Sequence, residues 1–159
     1  MKHIIEKANE IRKKYGIDDL GLLASKLGAE VVEIPLGRII KEVYIMDEGV
    51  IVIDPNLHPY KKRHLIAHGL AHHLFHRNTR TNYFLGERDN RFNYWKQRRQ
   101  EKEAEVFAAY LLIPEDKLKE KLKEEWVEES PDSIPELAEG FQVSENFMRK
   151  RLKFIKEVI

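Results

Sequence analysis

HLIAHGLAHHLFH, residues 64–76, sets His64, His68, His72 and His76 at intervals of four. On an α-helix, positions four apart lie about one turn apart on the same side, so the imidazoles of a successive pair can converge on one metal ion. Spacing alone permits three such pairs. Leu65, Ile66, Leu70 and Leu74 fall between them and Pro59 stands just ahead. The pattern predicts a helix over residues 60–77 that buries these four apolar side chains and opens near the proline. Any one of the histidines reads equally well as a surface residue; four in register, with His73 beside them, favour metal contact.

The pair His68 and His72 shares its spacing with the HExxH pattern of zinc peptidases. In that pattern the residue after the first histidine is a glutamate acting as general base toward metal-bound water. Here the position is Gly69, which has no side chain to take a proton. Losing a positioned base costs about 10² to 10⁴ in rate, while the Lewis acidity of a bound metal would survive. Glycine inside a helix also costs about 1 kcal/mol relative to alanine, and nothing in the sequence offsets it. Installing glutamate at 69 is the sequence-level test of whether the cleft is an inherited peptidase site.

Upstream, Ile4, Ile5, Ala8 and Ile11 mark a first helix ended by Gly16. Asp18 or Asp19 can cap a second helix through Leu27, its buried face formed by Leu20, Leu23, Ala24 and Leu27. Three β-rich runs follow, at 31–34, 39–46 and 50–53. The last two are joined by Asp47, Glu48 and Gly49, a hairpin connection with glycine available for positive φ. These predict a small, largely antiparallel sheet. Downstream, residues 78–97 mix Arg and Asn with Tyr83, Phe84, Phe92, Tyr94 and Trp95. Such a segment can stack on nucleic-acid bases; a loop whose aromatics fold onto the core is the favoured reading.

A strong helix is expected over 98–113, ended by Pro114, and an amphipathic one over 115–128. Ser130, Pro131 and Asp132 mark a break, and Ser133 with Glu136 forms a capping-box pattern. The final helix carries Phe147, Met148, Leu152 and Ile155 on one side and Arg149, Lys150, Arg151 and Lys153 besides. Two helices about a tight turn make the C-terminal segment helix-turn-helix-like.

Composition narrows the classes. The 159 residues, 42% hydrophobic, suffice for one core with room for a small appendage but not for two large domains. Their formal net charge of +1 conceals blocks: residues 61–100 hold 10 basic against 2 acidic side chains, and residues 101–139 hold 5 against 13. Such blocks usually pair with one another as solvated faces. With no cysteine, disulfides are excluded and any metal must be held by His and carboxylates. No run reaches membrane-spanning length and the start has no signal-peptide core, so a cytoplasmic location with no membrane partner is expected.

With HLIAHGLAHHLFH at 64–76, EKEAEVFAAYLLIPE at 101–115 and LAEGFQVS at 137–144 all in view, the chain resembles the ImmA/IrrE family of zinc-metallopeptidase-like proteins. The middle segment is the most specific. The resemblance implies an α+β, zincin-like fold, mostly helical. It divides the chain into a metallopeptidase-like domain over 1–129 and a helix-turn-helix-like segment over 130–159 packed on it. It also implies zinc as cofactor and carries the metal ligands to His68, His72 and Glu101. No catalytic residue is assigned, because the base position is Gly69. Glu105, where the family usually has Asn or Asp, is expected to hold the outer nitrogen of a ligand histidine, and Glu103 to face solvent.

The resemblance further implies a protein partner, a helix-turn-helix repressor of the Xre type. Gln142, at a turn position commonly occupied by Gly, argues against direct DNA binding. The sequence therefore points to a zinc-binding, metallopeptidase-like regulatory protein whose conventional proteolysis is impaired. Two alternatives stand beside it: an active zinc endopeptidase with a substitute base, for which His73 one turn beyond Gly69 is a candidate, and a metal-free protein-interaction module.

Overall fold

The histidine helix runs through the middle of the molecule. The computed structural model describes residues 1–38, 42–45, 48–77, 83–84, 94–124 and 133–158. Its helices and strands are, in chain order, α1 (Lys2–Tyr15), α2 (Leu20–Lys26), β1 (Glu30–Glu33), β2 (Glu42–Ile45), β3 (Val50–Ile53), α3 (Pro59–Phe75), β4 (Tyr83–Phe84), α4 (Tyr94–Leu112), α5 (Glu115–Glu124), α6 (Ile134–Phe141) and α7 (Glu145–Val158). Pro59 opens α3, where a missing N–H costs nothing, and His58 Nδ1 caps it by accepting from the Tyr60 amide at 3.1 Å. Beyond its first turn α3 is buried on nearly every side, from His64 to His73. It packs against α4, α2 and two strands, β2 and β3.

The sheet is mixed. Its order is β1-β3-β2-β4, with β1 parallel to β3 and β2 antiparallel to both β3 and the two-residue β4. β2 and β3 pair antiparallel as expected, and Gly49 adopts φ 63°; Asp47 of the expected turn and residues 39–41 and 46 of the expected strand lie outside the described residues. The expectation of a largely antiparallel sheet missed the other side of β3. Strand propensity marks β1 without saying which neighbour it joins, and β1 pairs with the second hairpin strand, which runs in its own direction.

In α2 the capping carboxylate is that of Asp19, accepting from the Leu22 amide at 3.0 Å. Helix α4 starts at Tyr94, four residues before the expected 98, and buries Ala104, Phe107, Ala108, Leu111 and Leu112 against α1 and α3. The capping-box bond expected of Ser133 is not made in α6. At the α6–α7 turn Gln142 takes the left-handed conformation, φ 55° and ψ 48°, and Ser144 Oγ accepts from the Phe147 amide at 3.2 Å.

Leu137, Ala138, Val143, Phe147 and Met148 join the same core cluster as α1, α3 and α4, and α7 packs on α4. Arg151 is fully buried there: its guanidinium lies 3.7 Å from the Tyr110 ring centroid and Nε donates to the Ile113 carbonyl at 3.0 Å. A side chain so placed is core, not a contact for DNA. Among the described residues no helix is long and apolar enough to cross a membrane. The aromatic and basic side chains of 78–97, and the expected extension of α5 to 128, lie outside the described residues.

Candidate metal centre

Helix α3 supplies His68 and His72 one turn apart, and α4, packed alongside, supplies Glu101. One ligand atom from each of the three lies within 4.8 Å of the other two. Glu101 spans the two imidazoles, Oε2 standing 2.9 Å from His68 Nε2 and Oε1 standing 3.1 Å from His72 Nε2. The two rings are nearly perpendicular, their centroids 4.8 Å apart. Both histidines are buried, while the Glu101 side chain keeps 36% of its exposure, so the group is reached from the α4 side.

The far nitrogens decide the tautomers. His68 Nδ1 lies 3.1 Å from Glu42 Oε2. Burial raises the Glu42 pKa and His68 opposes the rise; as a carboxylate Glu42 can only accept, so Nδ1 carries the proton and Nε2 faces Glu101. For His72 the argument runs through a relay. His76 Nε2 lies 3.1 Å from Glu103 Oε2 and donates to it, which leaves His76 Nδ1 to accept from His72 Nδ1 at 2.8 Å. His72 Nε2 then turns its lone pair to the same point as His68 Nε2. Arg99 Nε completes the chain by donating to Glu103 Oε1 at 3.1 Å.

The protonation tendencies follow. Burial pushes His72 down to about 4, leaving a neutral imidazole. Burial opposes charge at His68 as well, but Glu42 and Glu101 outweigh it and raise its pKa well above the ordinary value. Burial also works against the Glu101 carboxylate, and the close approach of the His68 and His72 imidazoles more than reverses it, lowering its pKa. His68 Nε2 is fully buried and makes no hydrogen bond. Two imidazole nitrogens aimed at one carboxylate suit a divalent ion of borderline softness.

Several neighbours depart from the sequence reading. Glu105 does not hold the outer nitrogen of a ligand histidine. It lies 2.8 Å from His64 Nε2 and 3.3 Å from Lys150 Nζ, with Oε1 3.8 Å from the inner nitrogen of His68. Glu103 is not solvent-facing; its side chain is 14% exposed and accepts a hydrogen bond from His76 Nε2. His73 donates from Nε2 to the Leu27 carbonyl at 2.9 Å, and its Nδ1 lies 2.7 Å from the Tyr44 hydroxyl. Both its nitrogens are committed to tying α3 to α2 and β2, which leaves none to serve as a displaced base.

Glu42 escaped the sequence reading altogether. Alternation in EVYI suggests Val43 and Ile45 inward, yet Glu42 and Tyr44 are the buried pair. The explanation for Gly69 lies beside it. A Cβ at position 69 would stand 2.8 Å from Glu42 Oε1, 2.8 Å from Ile51 Cγ2 and 3.0 Å from Ile51 Cγ1. Such separations are closer than packed atoms tolerate. The glycine lets α3 close on β2 and β3, which offsets its helix penalty.

Residues 24–153 match the family described as IrrE N-terminal-like domain, a peptidase family. The match covers most of the chain, including α3, α4 and the first part of α7. The chain belongs to the ImmA/IrrE family. In this IrrE-like metallopeptidase domain, His68, His72 and Glu101 form a possible metal site. Among solved structures the domain is similar to a Mycobacterium tuberculosis transcriptional regulator, with a TM-score of 0.71 and 19% identity. That likeness extends over 96% of this chain and 46% of the regulator, so the domain spans about half the regulator's length, and the likeness is one of fold. No curated protein matches the chain.

Proposed function

We propose that this ImmA/IrrE protein has a zincin-like fold, binds one zinc ion through His68 Nε2, His72 Nε2 and Glu101, and regulates transcription by acting on a helix-turn-helix repressor of the Xre type. Conventional proteolysis is impaired. The observation that carries the reading is the convergence of two Nε2 atoms on one carboxylate, beside a helix position that has neither a base nor room for one. Zinc held by two imidazoles and a carboxylate keeps a position open and supplies Lewis acidity toward a carbonyl or a water.

The chain's own residues do the rest. His72 stays neutral, Glu101 stays ionised, and Glu42 and His76 fix the direction of the imidazoles. Position 69 supplies no carboxylate on the open side: Glu42 meets His68 from behind, His73 is engaged elsewhere, and Glu105, whose Oε1 lies 3.8 Å from His68 Nε2, is held by His64 and Lys150. Membership of the family supports a repressor as partner, which is how such proteins generally act. Burial of Arg151 supports a C-terminal helix-turn-helix-like segment that forms part of the body of the protein.

Elemental mass spectrometry on purified protein, beside His72→Ala, tests the metal reading. About one zinc per chain, lost in the variant, is the expected result. Absence of metal after zinc is added back would turn the domain into a metal-free interaction module. Incubation of the zinc-loaded protein with Xre-type repressors is expected to relieve operator binding without peptide-bond cleavage. Cleavage at the rate of an HExxH enzyme would refute the impaired reading.

A further inference from the structure

We infer that Glu42 is a positioning residue for the metal centre. From β2 it supplies a buried carboxylate that holds the far side of His68 and occupies the space a side chain at position 69 would need. The inference rests on the metal reading above and adds to it a residue from outside both metal-bearing helices.

Three observations meet at this carboxylate. It is 2% exposed on a strand whose alternation would turn it outward. Burying a carboxylate demands a partner, because the interior replaces none of the hydration it loses. Its Oε2 lies 3.1 Å from His68 Nδ1, the geometry in which a carboxylate sets the tautomer and ring angle of a metal-binding histidine. Its Oε1 lies 2.8 Å from where a Cβ on residue 69 would be, so Glu42 and Gly69 form a matched pair.

Position matters as much as proximity. Glu42 approaches Nδ1, whereas the ligand atom is Nε2 on the opposite side of the ring. It therefore acts through His68 and does not touch the reacting centre. The carboxylate that HExxH would place on the open side of the metal is absent, and one that fixes the ligand from behind is present.

The test is zinc affinity, measured by chelator competition on wild type, Glu42→Met and Glu42→Gln, with far-UV circular dichroism confirming that each is folded. Glu42→Met is expected to weaken zinc binding about 10- to 100-fold. Glu42→Gln keeps an oxygen that can accept from Nδ1–H, and its loss is expected to be only a few-fold. Cobalt substituted for zinc reports on the same centre, and its visible absorption bands are expected to shift in Glu42→Met as the His68 ring loses its anchor.

Wild-type affinity and an unchanged cobalt spectrum in folded Glu42→Met would overturn the inference while leaving the zinc reading intact. If Glu42→Met does not fold, Glu42→Ala, which also removes the acceptor and adds no bulk, takes its place, and wild-type affinity with an unchanged cobalt spectrum in that variant would overturn the inference. A wild-type chain that takes up neither zinc nor cobalt would overturn the metal reading itself, and the inference with it.

Discussion

Replacing Gly69 by alanine sets two effects against each other. Helix propensity favours alanine by about 1 kcal/mol. Against this, the new methyl would sit 2.8 Å from Glu42 Oε1 and 2.8 Å from Ile51 Cγ2. Both are fully enclosed, and forcing extra volume into a packed core costs about 1–3 kcal/mol. If Glu42 swings aside, its charge-assisted hydrogen bond to His68 is lost as well, at a further cost of about 1.5–3 kcal/mol. The balance is a net destabilisation of about 1.5–5 kcal/mol, which for a chain of this size lowers Tm by about 3–20 °C.

Differential scanning calorimetry on metal-free protein measures this without interference from ligand binding. A Tm equal to or above that of wild type would show that α3 has room at position 69 and refute the packing argument. The same reasoning bears on Gly69→Glu, which the sequence alone recommends as the route back to a working peptidase. Its carboxylate must first displace Glu42 and Ile51, so the single substitution is expected to lose stability and zinc affinity without gaining cleavage.

The acid behaviour of the metal-free protein follows from His72, whose folded pKa is depressed to about 4. A neutral buried imidazole contributes stability above the unfolded pKa near 6.5, and that contribution is lost as pH falls toward 4. His68, whose pKa is raised, contributes fully below 6.5 and does not oppose this fall; Glu42, raised by burial, opposes it, and His64 and His76, lowered by burial, add to it. Urea denaturation from pH 6.5 to 4 should show declining stability, and a flat profile would contradict the assignment. Arg151→Ala empties a fully buried site over Tyr110 and is expected to cost about 2–5 kcal/mol, seen as a lower urea midpoint; an unchanged midpoint would count against its place in the core. Gln142→Gly relieves a left-handed backbone at φ 55° and is expected to stabilise by about 0.5–1 kcal/mol net, with the urea midpoint again the measurement.

Much of the framework is local and was legible in the sequence. Periodicity located α1, α2 and α3, and Gly49 between two β-rich runs located the β2–β3 hairpin, because each of these depends on residues within a few positions of one another. Four-residue spacing put His68 and His72 on one side of a helix, and the motif around Ala104 pointed to Glu101 on the next. What local pattern cannot contain is the set of distances between elements. Only the packing of α3 against β2 sends Glu42 inward against its own alternation, turns Gly69 from a missing base into a close approach, and commits His73 to Leu27 and Tyr44. Only the packing of α7 on α4 makes Arg151 a core residue. Sequence determined which side chains could bind a metal; tertiary structure decided which nitrogens face it, because a tautomer is set by the group on the far side of the ring, and here that group comes from another strand or another turn of helix.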